Sequence, residues 1–411
     1  MKTFNALSIS LGLMLAFFVF PTHAQTTHTA SMGNQYVNEV FFSLTQGEVK
    51  NSARNTWDLA FFTNAFSAGV MINDGAGVVL YTYPYAANDG WETFDTTGMS
   101  SWKRLYNNCA DYEDGAFNRN ALGHPDYGWG IYNMTSHSVT GDSLYLIKPL
   151  DGVYRKFQIV KKISTENKYI IRYAFLDGSN DKTDTLNINQ HTDKLTMAFS
   201  FTSGIVDREP AKDSWDLLFT RYHTLVQSTY YPVNGVLTNK SNVVAQVHPV
   251  AIDFTDWVDL EYLPQADVIG HDWKTINMTT FQWDITDSLA YFIKTQNESI
   301  YKVVFEAFSG SGTGTSTFSV QALVTASAGN LNAGVVSIYP NPATEVIKIE
   351  LREMPVNASA AIYDLSGRMV KQQQLSGSLL HEISLDYPVA GTYILRLTDN
   401  NRSASYKILV H

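Results

Sequence analysis

The chain has 411 residues, 45% of them hydrophobic and 13% aromatic, with only 17% charged and a net charge of -10. That mixture is enough to build ordinary buried cores and excludes a nucleic-acid partner, which demands a basic face. The single cysteine, Cys109, excludes an intramolecular disulfide and, being far from the N-terminus, a lipid-bearing N-terminal cysteine.

The N-terminal segment predicts a signal peptide over 1–24. Lys2 supplies a positive start, Ala6 to Phe20 is almost wholly apolar, and Thr22-His23-Ala24 offers small residues for cleavage before Gln25. The apolar core of about 15 residues is shorter than the roughly 20 a membrane span requires. No later stretch is long and apolar enough to cross, so the chain is not expected to be an integral membrane protein. The roughly 385 residues that follow are two to three domains' worth.

The body then repeats itself. Asn55-Thr56-Trp57-Asp58-Leu59-Ala60-Phe61 returns as Asp213-Ser214-Trp215-Asp216-Leu217-Leu218-Phe219. An alternating aromatic strand and a glycine precede each: Val40 to Gly47 in one case, Ala198 to Gly204 in the other. Downstream, Ser101-Trp102-Lys103 is paired with Asp272-Trp273-Lys274, and Asn133-Met134-Thr135 with Asn277-Met278-Thr279. Asp142-Ser143-Leu144 is paired with Asp287-Ser288-Leu289, and the strands from Ile147 and from Ile293 follow. Six features in one order predict two copies of one domain, over 25–187 and 188–325. On this pairing the first copy carries an insertion near Arg104 to Gly130, rich in Asn, Asp, Gly and aromatics.

Strand patterning dominates both copies. Lys156 to Val160 and Tyr169 to Phe175 read as a hairpin-like pair ending in the Asp177-Gly178 turn. Val303 to Phe308 is the counterpart, and the glycine run from Gly310 to Gly314 bends the chain before a last strand from Ser316. Met99 to Asn107 is the best helical candidate, and it is short. Small polar residues over 326–334 predict a linker.

From Val335 to His411 short alternating strands stand between turns: Ser337-Ile338-Tyr339-Pro340-Asn341-Pro342, Ala361-Ile362-Tyr363-Asp364-Leu365-Ser366-Gly367, and Gly391-Thr392-Tyr393-Ile394-Leu395. This stretch resembles the type A C-terminal sorting domain of type IX secretion cargo in the Bacteroidetes, with an immunoglobulin-like β-sandwich fold. The resemblance implies the type IX secretion machinery as partner and a secreted or outer-surface destination by way of the periplasm.

The two copies resemble the HmuY-like family of bacterial haem-binding proteins. The likeness is carried by the aromatic strand with its glycine, Trp-Asp-Leu, the late Lys-to-Tyr-Lys strand and the Phe-x-Gly turn. It implies an all-β architecture: two tandem antiparallel domains ahead of the sorting sandwich. It also implies haem, with the iron clamped between two side chains that are histidines in some members and methionines in others. The matching positions are Met134 and Met278, one ligand per copy. About thirty residues earlier the first copy has Met99 and the second has only His248. His137 and His271 are alternative ligands if the register slips. Against this stands packing, because methionine is commonly core filler.

Other chemistry is less favoured. Gly141-Asp142-Ser143-Leu144 spells an esterase signature without its distant Asp-x-x-His, and reads as a turn before a strand. Asp177, Asp181 and Asp184 lack the alternation of a calcium loop. His124 to Trp129 could line a ligand surface, though a folded loop core is preferred. No acid/base pair or nucleophile cluster repeats, so the chain is not read as an enzyme. Two classes remain: a non-enzymatic surface binding protein for haem or another apolar or aromatic ligand, and a surface structural or adhesive protein with no small-molecule site.

Overall fold

The computed structural model describes residues 25–324, 335–351, 358–364, 368–385, 389–399 and 402–411. The expected signal peptide at 1–24 and linker at 326–334 lie outside the described residues. The chain is all-β, with no α-helix among the described residues. Met99 to Asn107 forms a 3-10 turn, Met99–Ser101, and a two-residue strand, Arg104–Leu105, in place of a helix.

Each half of the body is closed by strands from the other half. In the first unit, Leu59–Phe62 pairs on one side with Val70–Ile72 and on the other with Thr196–Ser200, which continues into Gly204–Val206. In the second, Leu217–Val226 pairs with Thr229–Thr238 and with Asn38–Ser43, which continues into Gly47–Ala53. Thr26–Ser31 also joins the second unit, at the edge of a sheet running Thr315–Val324, Ile300–Phe308, Ala290–Lys294 and Val243–Val247. The exchange is reciprocal, so hydrogen bonding crosses position 187/188 in both directions.

Equivalent bonds mark the two closures. The Asp58 carboxylate accepts from Phe201 N at 2.9 Å, as Asp216 does from Leu44 N at 2.8 Å. Asn73 Nδ2 donates to Trp57 O at 2.8 Å, and Asn239 Nδ2 to Trp215 O at 3.0 Å. The Trp-Asp-Leu repeat therefore encodes the junction that receives the exchanged strand. Carboxylate and amide satisfy backbone groups where a sheet changes direction, which is why a buried polar pair recurs in an apolar run.

Alternation then fills each sandwich. Along Lys168–Phe175, Tyr169, Ile171 and Tyr173 are buried while Ile170 and Arg172 between them are half-buried, the period of a strand with one face on a core. The first core gathers Leu59, Phe61, Phe117, Trp129, Tyr145, Phe157 and Phe199 from both faces. The second gathers Phe42, Phe219, Trp273, Tyr291, Phe305 and Phe318. A third cluster, with Phe41, Trp57, Ala198, Trp215, Leu218 and Leu237, seals the units against each other.

The structure corrects one pairing of the repeat. The counterpart of Trp273 is Trp129, not Trp102. Both are fully buried four residues before the repeated Asn, and their carbonyls accept from Thr286 N at 2.9 Å and Asp142 N at 3.2 Å. Trp102 belongs to a separate aromatic layer over the outer face of the first unit, with Tyr83 and Trp91.

The tail is a sandwich of its own. Val335–Tyr339, Val346–Leu351 and Leu380–Ser384 form one sheet. Met369–Leu375, Ala358–Asp364, Gly391–Asp399 and Arg402–Val410 form the other. Ile347, Ile349, Ile362, Leu395 and Ile408 fill its core.

Candidate functional site at the junction of the two units

The residues expected to ligate iron do not converge. Met134 is 72% exposed and Met278 is 73% exposed. Each sits on a hairpin tip, between Gly130–Asn133 and Ser138–Gly141 in the first unit and between Lys274–Ile276 and Trp283–Ile285 in the second. The repeated Asn explains the motif. Asn133 Oδ1 accepts from Thr135 N and Ser136 N, both at 2.9 Å, and Asn277 Oδ1 accepts from Thr279 N at 3.0 Å and Thr280 N at 3.1 Å. The Asn shapes the turn, and the Met is carried outward with it.

Met99 is half-buried against the Tyr83, Trp91 and Trp102 layer, and His248 is exposed. His137 is exposed and its Nδ1 lies 2.8 Å from Tyr132 Oη. His271 is half-buried, and burial lowers its pKa. An axial pair needs a walled apolar slot; in the first unit Met99 packs into the aromatic layer while Met134 stands on an exposed tip, and in the second Met278 and His248 are both exposed. These residues do not fit haem.

The other candidates are structural. Trp129 Nε1 donates to Ala68 O at 2.9 Å inside the first core. Asp142 and Ser143 lie in the connection between the strands Ser138–Gly141 and Tyr145–Lys148, where Ser143 Oγ donates to Asp142 Oδ1 at 2.8 Å. Asp181 is engaged by Arg172 and by Trp91 Nε1 at 3.2 Å, and Asp184 by Tyr173 Oη at 2.8 Å. Among the described residues no group of three or more His, Cys, Asp or Glu could hold a metal ion.

A small cavity of about 60 Å³ opens where the units meet. Its apolar wall is Trp57, Met71 and Ile72 from the first unit with Leu218 and Leu237 from the second. Asp74, Cys109, Arg208, Arg221 and His223 supply the polar wall. The apolar lining with a few polar groups is of the kind found in small-molecule sites, on a smaller scale.

The polar wall is built by the strand exchange. Arg208 donates through Nε and Nη2 to the fully buried Glu39 at 2.7 and 2.8 Å, and its guanidinium stands 4.3 Å over the Trp57 ring. Burial opposes the charge on Arg208, yet Glu39 and Glu209 outweigh it and hold its pKa above the ordinary value. Asp74 Oδ2 accepts from Asn107 N at 3.3 Å and Nδ2 at 3.2 Å, and its Oδ1 lies 3.9 Å from His223 Nδ1. Burial pushes the Cys109 thiol up to about 12, while Thr224 works to lower it and Asp267 to raise it. The thiol is therefore protonated at neutral pH, a poor nucleophile.

Four groups on this wall make no hydrogen bond. Trp57 Nε1, Arg221 Nε, Tyr222 Oη and His223 Nδ1 are buried with no hydrogen-bond partner, though His223 Nδ1 faces Asp74. Trp215, the repeat counterpart of Trp57, is unpartnered too but does not line the cavity, so Arg221, Tyr222 and His223 are the distinguishing groups. Sequence reasoning picked out none of these beyond Trp57, because the lining runs from residue 57 to residue 237 with no local motif.

No curated protein matches the chain. Among solved structures it is similar to a biofilm associated protein, BSP domain, at 9% identity, with 99% of this chain and 84% of that chain covered. The TM-score of 0.16 is too low to bear on fold or function. Residues 337–411 match the family described as the secretion system C-terminal sorting domain, so the tail is a type IX sorting domain and the protein is exported to the cell surface or the extracellular space.

Proposed function

We propose that the protein is an exported, non-enzymatic binding protein whose ligand seats in the cavity between the two interlocked units. One observation carries this: a small apolar-walled cavity whose walls come from both units and include several buried polar groups left without hydrogen-bond partners. Each orphaned buried donor costs about 1–3 kcal/mol, so a wall that keeps several is better suited to a guest than to packing alone. The HmuY likeness rests on motif residues that have structural duties here, in the Trp-Asp-Leu junction and the Asn turn. Haem is accordingly not the ligand favoured.

Isothermal titration of the full chain with indole and with phenylacetate tests this. Saturable heat at one site per chain is expected for at least one probe. Absence of heat for both, with the chain folded, would favour the structural alternative, in which the two units decorate the cell surface.

A further inference from the structure

Each unit has a lid over the outer face of its sheet, and only one of the two lids fills its space. The lid of the first unit follows Val79–Thr82 and that of the second follows Val243–Val247, strands that pair with Tyr145–Lys148 and Ala290–Lys294. Both lids are fastened at two equivalent points. Asn88 N donates to Asp142 O at 3.3 Å, and Val250 N to Ser288 O at 2.8 Å. Lys156 and Lys302 each precede the residue that pairs with Tyr145 or Tyr291. Their Nζ atoms donate to Trp91 O and to Ile252 O. Trp91 and Ile252 therefore hold corresponding places, and their burial is opposite: Trp91 is 3% exposed and Ile252 is 70% exposed.

The space that an indole fills in the first unit is open in the second. A groove of about 550 Å³ lies there, with Val250 and Ile252 on the lid side, Leu289 and Val304 beneath, and Asp287 and Glu306 as its carboxylates. It shares no lining residue with the junction cavity, and its volume is that of a small-molecule site.

The charges around the two places differ as well. The Trp91 ring faces two cations, Lys156 Nζ at 4.8 Å and Arg172 Cζ at 4.3 Å from its centroid. Ser319 takes the strand position of Arg172 in the second unit, since Gln158 pairs with Arg172 and Val304 with Ser319. Glu306 stands at a bulge between Phe305 and Ala307, where the first unit has Val160 between Ile159 and Lys161. A bulge re-aims its extra side chain. Among the described residues neither Asp287 nor Glu306 forms a salt bridge. Lys302, which also lines the groove, is held on the Ile252 carbonyl with Asp253 as an electrostatic neighbour. The second unit thus lacks both the ring and the outer cation of the first, and presents two carboxylates instead.

We infer that the groove binds a small aromatic cation, its ring in the place that Trp91 takes in the first unit and its ammonium or guanidinium at Asp287 and Glu306. The apolar walls receive the ring, and carboxylates without a counter-ion are matched by a cation through charge-assisted bonds. The first unit already holds a lysine and an arginine against one indole, so Lys302 is compatible with a second cation here.

Calorimetric titration of the full chain with tryptamine and with indole-3-acetate, which share the ring and differ in charge, tests this. Tryptamine is expected to bind at least tenfold tighter. Asp287→Asn combined with Glu306→Gln, both at exposed positions, is expected to remove that preference. Val304→Trp, which fills the groove from beneath, and Glu306→Arg, which places a cation in it, are each expected to abolish tryptamine binding, and either folded variant suffices. Equal affinity for the two probes, or a preference that persists in the double variant, would overturn the cation assignment. Tryptamine binding that survives Val304→Trp or Glu306→Arg, or no tryptamine binding to the parent, would overturn the groove as a site.

Discussion

Replacing Phe42 by alanine tests the strand exchange where it is most consequential. Phe42 belongs to the N-terminal stretch, yet its ring is 1% exposed inside the second unit. Its centroid lies 5.1 Å from that of Phe318, 6.3 Å from Phe219 and 5.3 Å from His28. Truncating a fully buried phenylalanine costs about 3–5 kcal/mol, through lost burial and the cavity left behind. That is about two to three and a half powers of ten in a local opening equilibrium. Hydrogen exchange followed by mass spectrometry under native conditions reads such openings segment by segment. Protection should fall in 217–238 and 290–324 and hold in 145–175. Phe199→Ala, its counterpart in the first unit with Phe201 at 5.5 Å, should do the reverse. Loss of protection in 145–175 on Phe42→Ala, with 290–324 unmoved, would refute the exchange.

Asp207 bridges Lys194 and Lys50, so its carboxyl is held down to about 2 from 3.8. A depressed carboxyl stabilises the fold above pH ~4, and that contribution is lost as pH falls toward 2. Asp207→Asn should flatten this part of the acid melting profile, by no more than about 1 kcal/mol for so exposed a pair; an unchanged profile would discount the bridge. Met134→Ala and Met278→Ala should each shift stability by less than about 0.5 kcal/mol, as exposed substitutions do, and haemin titration should develop no sharp Soret band in the parent or either variant. Deleting 337–411 should leave the body in the periplasm on cell fractionation; normal surface delivery of the truncation would contradict the role of the tail.

The strands and the sorting domain were legible because they are written in local alternation between turn residues. The partners of the strands were not. Asn38–Ser43 and Thr196–Ser200 carry the same pattern, and alternation does not say which Trp-Asp-Leu strand each will meet. Asn133-Met134-Thr135 misled for a physical reason: the turn needs the Asn, and the Met beside it looks like a ligand only through the HmuY-like resemblance. Trp102 was paired with Trp273 through a shared Trp-Lys, while burial and carbonyl bonding select Trp129. The cavity was invisible because Glu39 and Arg208, which brace it, are 169 positions apart in the chain.

The most direct measurement is the ¹⁹F spectrum of the full chain labelled with 5-fluorotryptophan, its eight resonances assigned by substitution, during phenylacetate titration. The resonance of Trp57 should move to saturation while those of Trp102, Trp129 and Trp273 stay in place. A titration in which binding is detected and Trp57 does not move would contradict a ligand seat between the two units.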